Sequence, residues 1–267
     1  MGWSTSSDVH AFVAAAGGFL EADPVANTVL LTEAAYLTAR PHPGDDQSYG
    51  WWRPDGEAVA GAFLQAPRHP PILSTMSAAA LESLVDLRPE LPPIGVDGRL
   101  VDPAVAAWRR RGVHLAERSR IRLHRLGELR TPAPPPGRAR VATPADRDLL
   151  VGWYERLMAA FPDDPSELAY VVDDPIGYGG ITLWEVGGTP VAMAGRSRLV
   201  AGMVRMGAVY APDDPDDVRG HGRAALVAAC AAAHAVARDV LIFSGAADDA
   251  YRALGFEPVL DRVMLAP

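Results

Sequence analysis

A run of prolines near the middle of the chain is the feature that most limits how this sequence can fold. Residues 131–137 read TPAPPPG and contain four prolines. Proline cannot continue a helix or the interior of a sheet, and consecutive prolines hold the backbone extended and semi-rigid. Because the run lies about halfway along the 267 residues, the sequence predicts two lobes of similar size. These are residues 1–130 and residues 138–267, with residues 131–137 as the linker.

The charge and the cysteine content exclude several classes of protein. A net charge of −8 argues against binding to the phosphate backbone of a nucleic acid. It suits a cationic amine substrate, or simply an acidic surface that keeps the chain dissolved. The one cysteine, Cys230, can form neither an intramolecular disulfide nor a thiolate metal cluster, and we expect no metal site. It lies in an apolar helical run and is predicted to be a core residue.

No segment has the pattern of a membrane span or of a secretory signal. The sequence lacks a stretch of about 18 apolar residues, and its first residues, MGWSTS, lack the basic segment of a signal peptide. We therefore expect a cytoplasmic protein whose partners include neither a membrane nor a nucleic acid.

Hydrophobic periodicity and turn residues predict an α+β fold in both lobes. In the first lobe we expect a helix after Asp8, a helix after Asn27, a hairpin turning at residues 54–56, strands at 72–74 and 121–126, and helices at 78–85 and 103–110. In the second we expect strands at 138–141, 181–186, 190–194, 203–210, 240–243 and 256–265, and helices at 143–161, from about 166, and at 222–237 and 248–254. The two lobes have a loosely similar order of elements.

A short glycine-containing segment precedes an alanine-rich helix in the second lobe. It consists of Arg219, Gly220, His221, Gly222, Arg223 and Ala224. Glycine lets the backbone approach a ligand closely, and the N–H groups and dipole at a helix start favour an anion. With two arginines beside them, these glycines predict a phosphate or pyrophosphate site.

Two kinds of protein place glycines at such a helix start. The dinucleotide fingerprint G-x-G-x-x-G/A is met by Gly220, Gly222 and Ala225, and Asp239 lies near the spacing of a ribose-binding acid. That fingerprint must follow a strand directly. Here residues 212–217 intervene, and Asp239 precedes the next strand, whereas a ribose acid should end it. The context therefore argues against a dinucleotide site.

The second kind is the GNAT superfamily of acetyl-CoA-dependent N-acyltransferases, which the second lobe resembles in three ordered motifs. The signature Q/R-x-x-G-x-G/A is met by Arg219, Gly222 and Ala224. Upstream, residues 207–212 (GAVYAP) resemble the strand beside the pantetheine arm, and downstream, residues 251–256 (YRALGF) resemble the Y-x-x-x-G-F ending. The whole chain also resembles two-lobed, actinobacterial-type members with a degenerate first lobe. The resemblance implies two GNAT-like lobes, each a mixed, mainly antiparallel sheet flanked by helices.

The resemblance also implies a reaction and roles for particular residues. Acetyl-CoA would be the cosubstrate, and a primary amine of a small molecule would attack its thioester directly, an amine of a protein or peptide being the alternative acceptor. Tyr251 would be the general acid for the CoA thiolate, the alternative being a core tyrosine. The N–H of Val209 or Tyr210 would bond the thioester carbonyl, which requires a bulge to free it from ordinary sheet pairing. Glu185 is a candidate base, although a structural strand carboxylate is the simpler interpretation.

The cofactor-binding prediction thus comprises Val209, Tyr210, Arg219, Gly220, His221, Gly222, Arg223 and Ala224.

Two departures from the family pattern keep a second function open. The loop at residues 244–248 (SGAAD) lacks the asparagine that many members carry after the fifth strand, and four aspartates, Asp213, Asp214, Asp216 and Asp217, precede the phosphate loop. A non-catalytic CoA-binding or structural protein of the same fold is therefore the alternative. Because residues 1–130 contain no copy of the glycine signature, we expect one acetyl-CoA per chain. A homodimer is one option for its assembly.

Overall fold

The computed structural model describes every residue except 1, 42, 43, 45, 56, 57, 163, 213–219, 246 and 247. Its contacts divide the chain into two compact units, Met1–Arg122 with Leu260–Pro267, and Leu123–Val259. The division differs from the predicted domains in two respects. The proline run lies inside the second unit, and the last eight residues belong to the first. That residues 1–130 and residues 138–267 fold as separate domains stays a prediction.

The first unit is a mixed sheet with four helices in its described part. Its strands are β1 (Gly2–Ser6), β2 (Ser48–Arg53), β3 (Gly61–Gln65), β4 (Ile72–Leu73), β5 (Ile94–Asp97) and the first part of β6 (Ala116–Leu126). Its helices are α1 (Val9–Glu21), α2 (Thr28–Ala39), α3 (Ala78–Leu87) and α4 (Val101–Arg109). The strands from β1 to β4 pair antiparallel in sequence order, and β4 and β5 pair parallel across α3.

The second unit repeats this plan. Its strands are the end of β6, β7 (Arg138–Val141), β8 (Ile181–Val186), β9 (Thr189–Arg196), β10 (Met203–Tyr210), β11 (Asp239–Ser244) and the first part of β12 (Phe256–Ala266). Its helices are α5 (Arg147–Met158), α6 (Asp174–Tyr178), α7 (His221–His234) and α8 (Asp248–Ala253), with a π-helical turn at Ala169–Asp173. The strand order is β6-β11-β10-β9-β8-β7, and β10 and β11 pair parallel across α7.

The element order confirms the α+β prediction. Each unit runs strand, two helices, three strands, helix, strand, helix, strand. The sequence analysis missed β1 and β5. The β1 sequence, GWSTS, is mostly polar and largely exposed, and β5, IGVD, is wholly buried and only four residues long. Neither gives the alternation by which a strand is recognised.

Two hydrophobic clusters cover the two faces of the second unit's sheet. One, with α5, includes Leu150, Trp153 and Met193. The other, with α7 and α8, includes Ala225 and Cys230. Cys230 is fully buried, as predicted, and burial raises the pKa of its thiol to about 12. None of the helices in the described part of the chain is long and apolar enough to cross a membrane.

Two positive-φ glycines of the second unit offer a matched test of backbone packing. Gly187, in the two-residue turn between β8 and β9, has a φ of 60°, and a Cβ there would meet nothing within 4 Å. Gly255, before β12, has a φ of 98°, and a Cβ there would lie 1.9 Å from the Glu128 carbonyl oxygen. We predict that Gly187→Ala costs about 1 kcal/mol of unfolding free energy from conformational strain alone.

Gly255→Ala should cost about 3 kcal/mol or more, because overpacking against the backbone adds to the strain. Urea unfolding of both variants measures the difference. Equal losses in the two variants would contradict the placement of Gly255 against Glu128.

Candidate functional site

The parallel strands β10 and β11 part within the second unit's sheet. Their registered pairs run from Met203 opposite Asp239 to Met206 opposite Ile242. Both strands continue beyond that point, β10 as far as Tyr210 and β11 as far as Ser244. Within the described part of the chain, no registered pair joins the two strands beyond Met206 and Ile242, so the sheet opens there toward the end of each strand.

A β-bulge lies on β10 at the start of this opening. Gly207 is opposite Gly195 and Tyr210 is opposite Met193, so two residues of β10 occupy the place of one on β9. Within the bulge, Ala208 has a φ of 48°. A bulge leaves a residue outside the ladder and turns its peptide groups. The predicted hydrogen bond from the N–H of Val209 or Tyr210 to the thioester carbonyl requires such a bulge, and the bulge is present. The hydrogen bond itself stays a prediction.

The side chains of the two bulge neighbours face different surroundings. Val209 packs against the cluster on the α7 side. Tyr210 is buried in the cluster on the α5 side, where its hydroxyl oxygen accepts a hydrogen bond from Arg156 Nε at 3.2 Å. Only the backbone of Tyr210 is therefore a candidate for contact with a ligand in the opening.

The predicted anion site lies at the start of α7. The helix begins at His221 after Gly220, which has no side chain to cap it. Gly222 and Ala224 are buried against the sheet, and Arg223 is half-buried. Among the described residues, the Arg223 guanidinium forms no ion pair. Arg219 and the aspartates at 213, 214, 216 and 217 lie outside the described residues.

Tyr251 lies on α8 and belongs to the same hydrophobic cluster as Ala224. Val209 packs against that cluster. Its ring makes an edge contact with Phe256, with the ring centroids 6.2 Å apart. It is 9% exposed, and burial raises the pKa of its hydroxyl. The phenol therefore stays protonated at neutral pH, as a proton donor must. The structure brings Val209, Ala224 and Tyr251 to one cluster, and the catalytic role of Tyr251 stays a prediction.

Glu185 has different surroundings. It is buried on β8, and its carboxylate accepts hydrogen bonds from Arg140 Nε at 2.5 Å and from Arg138 Nε at 3.3 Å. Arg140 in turn donates to both carboxylate oxygens of Asp146 at 2.7 Å. The hydrogen bond from Arg140 is the main cause of the lowered pKa of Glu185. β9 separates Glu185 from β10, a distance of roughly 10 Å or two strand spacings. These contacts, and the separation from β10, favour a structural role for Glu185 over a role as general base.

Two cavities of the second unit lie beside α7. The larger, 490 Å³, is lined by residues 130–132, Arg223, and the α8 residues Asp249, Ala250 and Ala253 together with Leu254. The smaller, 240 Å³, is mainly apolar and lies between the proline run, Trp184 and the outer face of α7. The sequence analysis missed Arg130 and Asp249. Arg130 precedes the predicted linker, and nothing in its local sequence pattern indicates a cavity.

A buried polar pair lies where the loop at residues 244–248 begins. Ser244, the last residue of β11, lies 3.0 Å from His124 Nε2 on β6, measured from its hydroxyl oxygen. Both residues are buried. The loop without asparagine therefore begins at a serine that is in contact with a histidine of the neighbouring strand.

The first unit has charged residues at the corresponding strand ends. Asp97 ends β5 and is paired in register with Arg262 of β12. Arg262 is buried and donates from Nη1 to the Leu73 carbonyl oxygen at the end of β4, at 3.3 Å. Burial alone would raise the pKa of Asp97, but hydrogen bonds from Arg99 and the charge of Arg262 hold it below its usual value. The expectation that the first lobe binds no acetyl-CoA stays a prediction.

Sequence comparisons identify no relative. No protein-family model matches the chain, and no curated protein sequence matches it. Solved structures do match. A GCN5-related N-acetyltransferase from Kribbella flavida aligns over 90% of this chain and 95% of its own at 19% identity, with a TM-score of 0.59. One from Sphaerobacter thermophilus aligns over 98% and 94% at 16% identity, also with a TM-score of 0.59.

A tandem GNAT protein from the clavulanic acid biosynthesis pathway covers 98% of this chain and 97% of its own. It is 13% identical, with a TM-score of 0.53. These alignments extend through both units, whereas the sequence motifs lie only in the second. Identities this low show the fold and not the substrate. The resemblance drawn from three short motifs is confirmed at this level, and the chain has the tandem α+β fold of the GNAT N-acetyltransferases.

Proposed function

We propose that the protein is an acetyl-CoA-dependent N-acetyltransferase that acts on a primary amine of a small molecule. The observation that carries the proposal is the opening between β10 and β11, which has a bulge on one strand and leads to the glycine-containing start of α7. An opening between parallel strands can receive an extended chain, and the helix start beyond it suits an anion.

The residues at the start of α7 fit the pyrophosphate of CoA. Gly220 and Gly222 carry no side chain that could crowd the backbone. Arg223 is half-buried beside them and is not engaged by any acid in the described part of the chain. A positive charge at a helix start adds to the attraction of the helix dipole for a phosphate.

Bound acetyl-CoA would supply an acyl thioester, and the chain's own groups would position it and manage charge. A backbone N–H of the bulge, at Val209 or Tyr210, would donate to the carbonyl oxygen as negative charge develops there. Tyr251 would donate its proton to the departing sulfur. Burial suits this task because it keeps the phenol neutral until the thiolate forms.

We assign Glu185 a structural role in this scheme. A carboxylate that accepts hydrogen bonds from two arginines, with a lowered pKa, is a weak base. Its place on β8, one strand removed from β10, puts it outside direct reach of the opening. An amine that loses its proton to water before attack needs no such carboxylate.

The alternative function is CoA binding without efficient transfer. The observation that favours it is the loop at residues 244–248, which lacks the asparagine that many family members carry and begins at Ser244, a residue already in contact with His124. One polar contact to the cosubstrate is then missing. Binding and turnover measured on the same preparation separate the two functions.

The proposed function predicts both ligand-induced stabilisation and turnover. At a hundredfold excess over its dissociation constant, acetyl-CoA should stabilise the fold by about 2.7 kcal/mol, measurable as a thermal shift. A panel of primary amines should release CoA thiol, which a thiol reagent detects. Gly222→Val should abolish the shift, because a β-branched side chain blocks the approach to the backbone.

A thermal shift without thiol release from any amine would support the non-catalytic alternative. A folded protein with no shift at millimolar acetyl-CoA would refute both functions.

Tyr251→Phe isolates the proposed proton donor. The variant keeps the ring and its edge contact with Phe256, so affinity for acetyl-CoA should change little. Loss of the proton should lower kcat by about 100-fold, the range usual for a positioned acid. Steady-state kinetics and calorimetry measure the two quantities. An unchanged kcat would remove Tyr251 from the mechanism and leave it as a core residue.

Glu185→Gln tests the structural role assigned to that residue. The folded pKa of Glu185 is lowered, so its carboxylate stabilises the fold above the unfolded pKa of about 4.3. That stabilisation is lost as pH falls through the folded pKa. The variant should therefore be less stable than wild type at pH 7, and the difference should shrink below about pH 4, as urea unfolding can show.

Glu117→Gln is the matched control, because Glu117 pairs with Arg120 at an exposed site where ion pairs contribute little. At pH 7, kcat of Glu185→Gln should fall far less than that of Tyr251→Phe. A fall of 100-fold, with loss of the acidic limb of the pH–rate profile, would restore Glu185 as the base.

A further inference from the structure

The serine–histidine pair at the end of β11 lies beside the opening between β10 and β11. Ser244 comes two positions after Ile242, the last residue of β11 that is registered with β10. Its hydroxyl oxygen lies 3.0 Å from Nε2 of His124, whose ring is fully buried. Because β11 lies between β10 and β6, Ser244 has the opening on one side and the histidine of β6 on the other.

The pair faces the same side of the sheet as the candidate proton donor, Tyr251. Successive side chains of a strand point to opposite faces. Ser244 therefore shares its face with Ile242, and His124 shares its face with Leu126. Ile242 and Leu126 both belong to the hydrophobic cluster that contains Tyr251. A proton donor and a serine–histidine pair thus border one opening from one face of the sheet.

The surroundings of the pair on this face are apolar. In the described part of the cluster, the other titratable groups are Tyr251 and Cys230. Burial raises the pKa of both, that of the Cys230 thiol to about 12, so neither is charged at neutral pH. Arg125 and Asp239, an ion pair of the same two strands, lie on the opposite face by alternation. A hydrogen bond between hydroxyl and imidazole is stronger in such a setting than in water.

The first unit has no such pair at its corresponding strand end. Asp97, which ends β5, is registered there with the buried Arg262. An arginine keeps its proton in a protein and therefore cannot accept another. A neutral imidazole accepts a proton on one nitrogen while the other nitrogen holds its own. The pair that can take up a proton therefore lies in the unit that carries the glycine signature.

The proposed transfer reaction leaves one proton without an acceptor. When the amine nitrogen bonds to the thioester carbon, the nitrogen becomes positively charged and must lose a proton before the amide is stable. Tyr251 cannot take that proton, because it gives its own to the sulfur. Glu185 is engaged by two arginines and is separated from β10 by β9.

We propose that Ser244 relays this proton from the attacking amine to His124. The inference rests on the proposed function. The N–H bond of the amine breaks as Ser244 Oγ takes the proton, and the former hydroxyl proton moves to Nε2 of His124. The C–S bond breaks with its electron pair on sulfur, which takes the phenol proton of Tyr251. One proton then returns from the imidazolium to the phenolate through water, which restores both groups.

Kinetics of thiol release and calorimetry with acetyl-CoA test the relay in the full chain, with the fastest acceptor of the amine panel. Ser244→Ala should lower kcat about 100-fold, the range usual for a positioned proton acceptor, and leave acetyl-CoA affinity within about twofold. Ser244→Thr keeps a hydroxyl and should retain most of the activity. His124→Gln should lower kcat as much as Ser244→Ala. The double variant should lose no more than either single one, because the two residues act as a unit.

His234→Gln is the matched control, because His234 is exposed at the end of α7 and should be replaceable without effect. Urea unfolding establishes that each variant is folded. If His124→Gln does not fold, the comparison of Ser244→Ala with Ser244→Thr decides the matter.

An unchanged kcat in folded Ser244→Ala would overturn the relay and leave the proposed function intact. So would equal losses of kcat in the alanine and threonine variants, or a parallel loss of acetyl-CoA affinity, because either would show a structural or binding role. Peptide mass spectrometry of wild type quenched with acetyl-CoA and no amine gives a further check. Acetylated Ser244 would replace the relay by a covalent intermediate. A folded wild type that releases no thiol with any amine would refute the proposed function itself.

Discussion

The hydrogen-bond ladder of β10 is the constraint on which the candidate site depends. On one side β10 pairs with β11 from Met203 to Met206 only, and on the other it pairs with β9 across a bulge. Ending the first ladder opens the sheet, and the bulge turns the peptide groups of β10 beside the opening. A continuous ladder on both sides would close the sheet and leave no free donor for a ligand.

Small residues on α7 let the helix lie close to the opened sheet. The buried face of α7 is made of Gly222, Ala224, Ala225, Leu226, Ala229, Cys230 and Ala233. Short side chains bring the helix axis near the strands, and Ala224, in the first turn of α7, belongs to the cluster against which Val209 of β10 packs. Tyr251 of α8 completes the same cluster. The candidate anion site and the candidate acid are therefore positioned by one packed core.

The two units show how one order of elements can carry different chemistry. At the end of β11, the Ser244 hydroxyl lies beside the His124 ring. At the end of β5, Asp97 and the buried Arg262 take the corresponding places, and Arg262 bonds the carbonyl that ends β4. Burying these charges requires hydrogen-bond partners that fix the strand ends in place. The repeated fold therefore does not imply a repeated ligand site.

The sequence by itself determined the elements and the glycine signature, because periodicity and helix starts are local properties of the chain. β8 and β10 begin and end at the predicted residues, whereas β1 and β5 were too polar or too short to be recognised. Only the tertiary structure decided which distant residues meet. It placed Arg130 and Asp249 on one cavity, tied Glu185 to two arginines, and moved the last eight residues into the first unit. Strand pairing and helix packing across many residues set those contacts, and no local pattern encodes them.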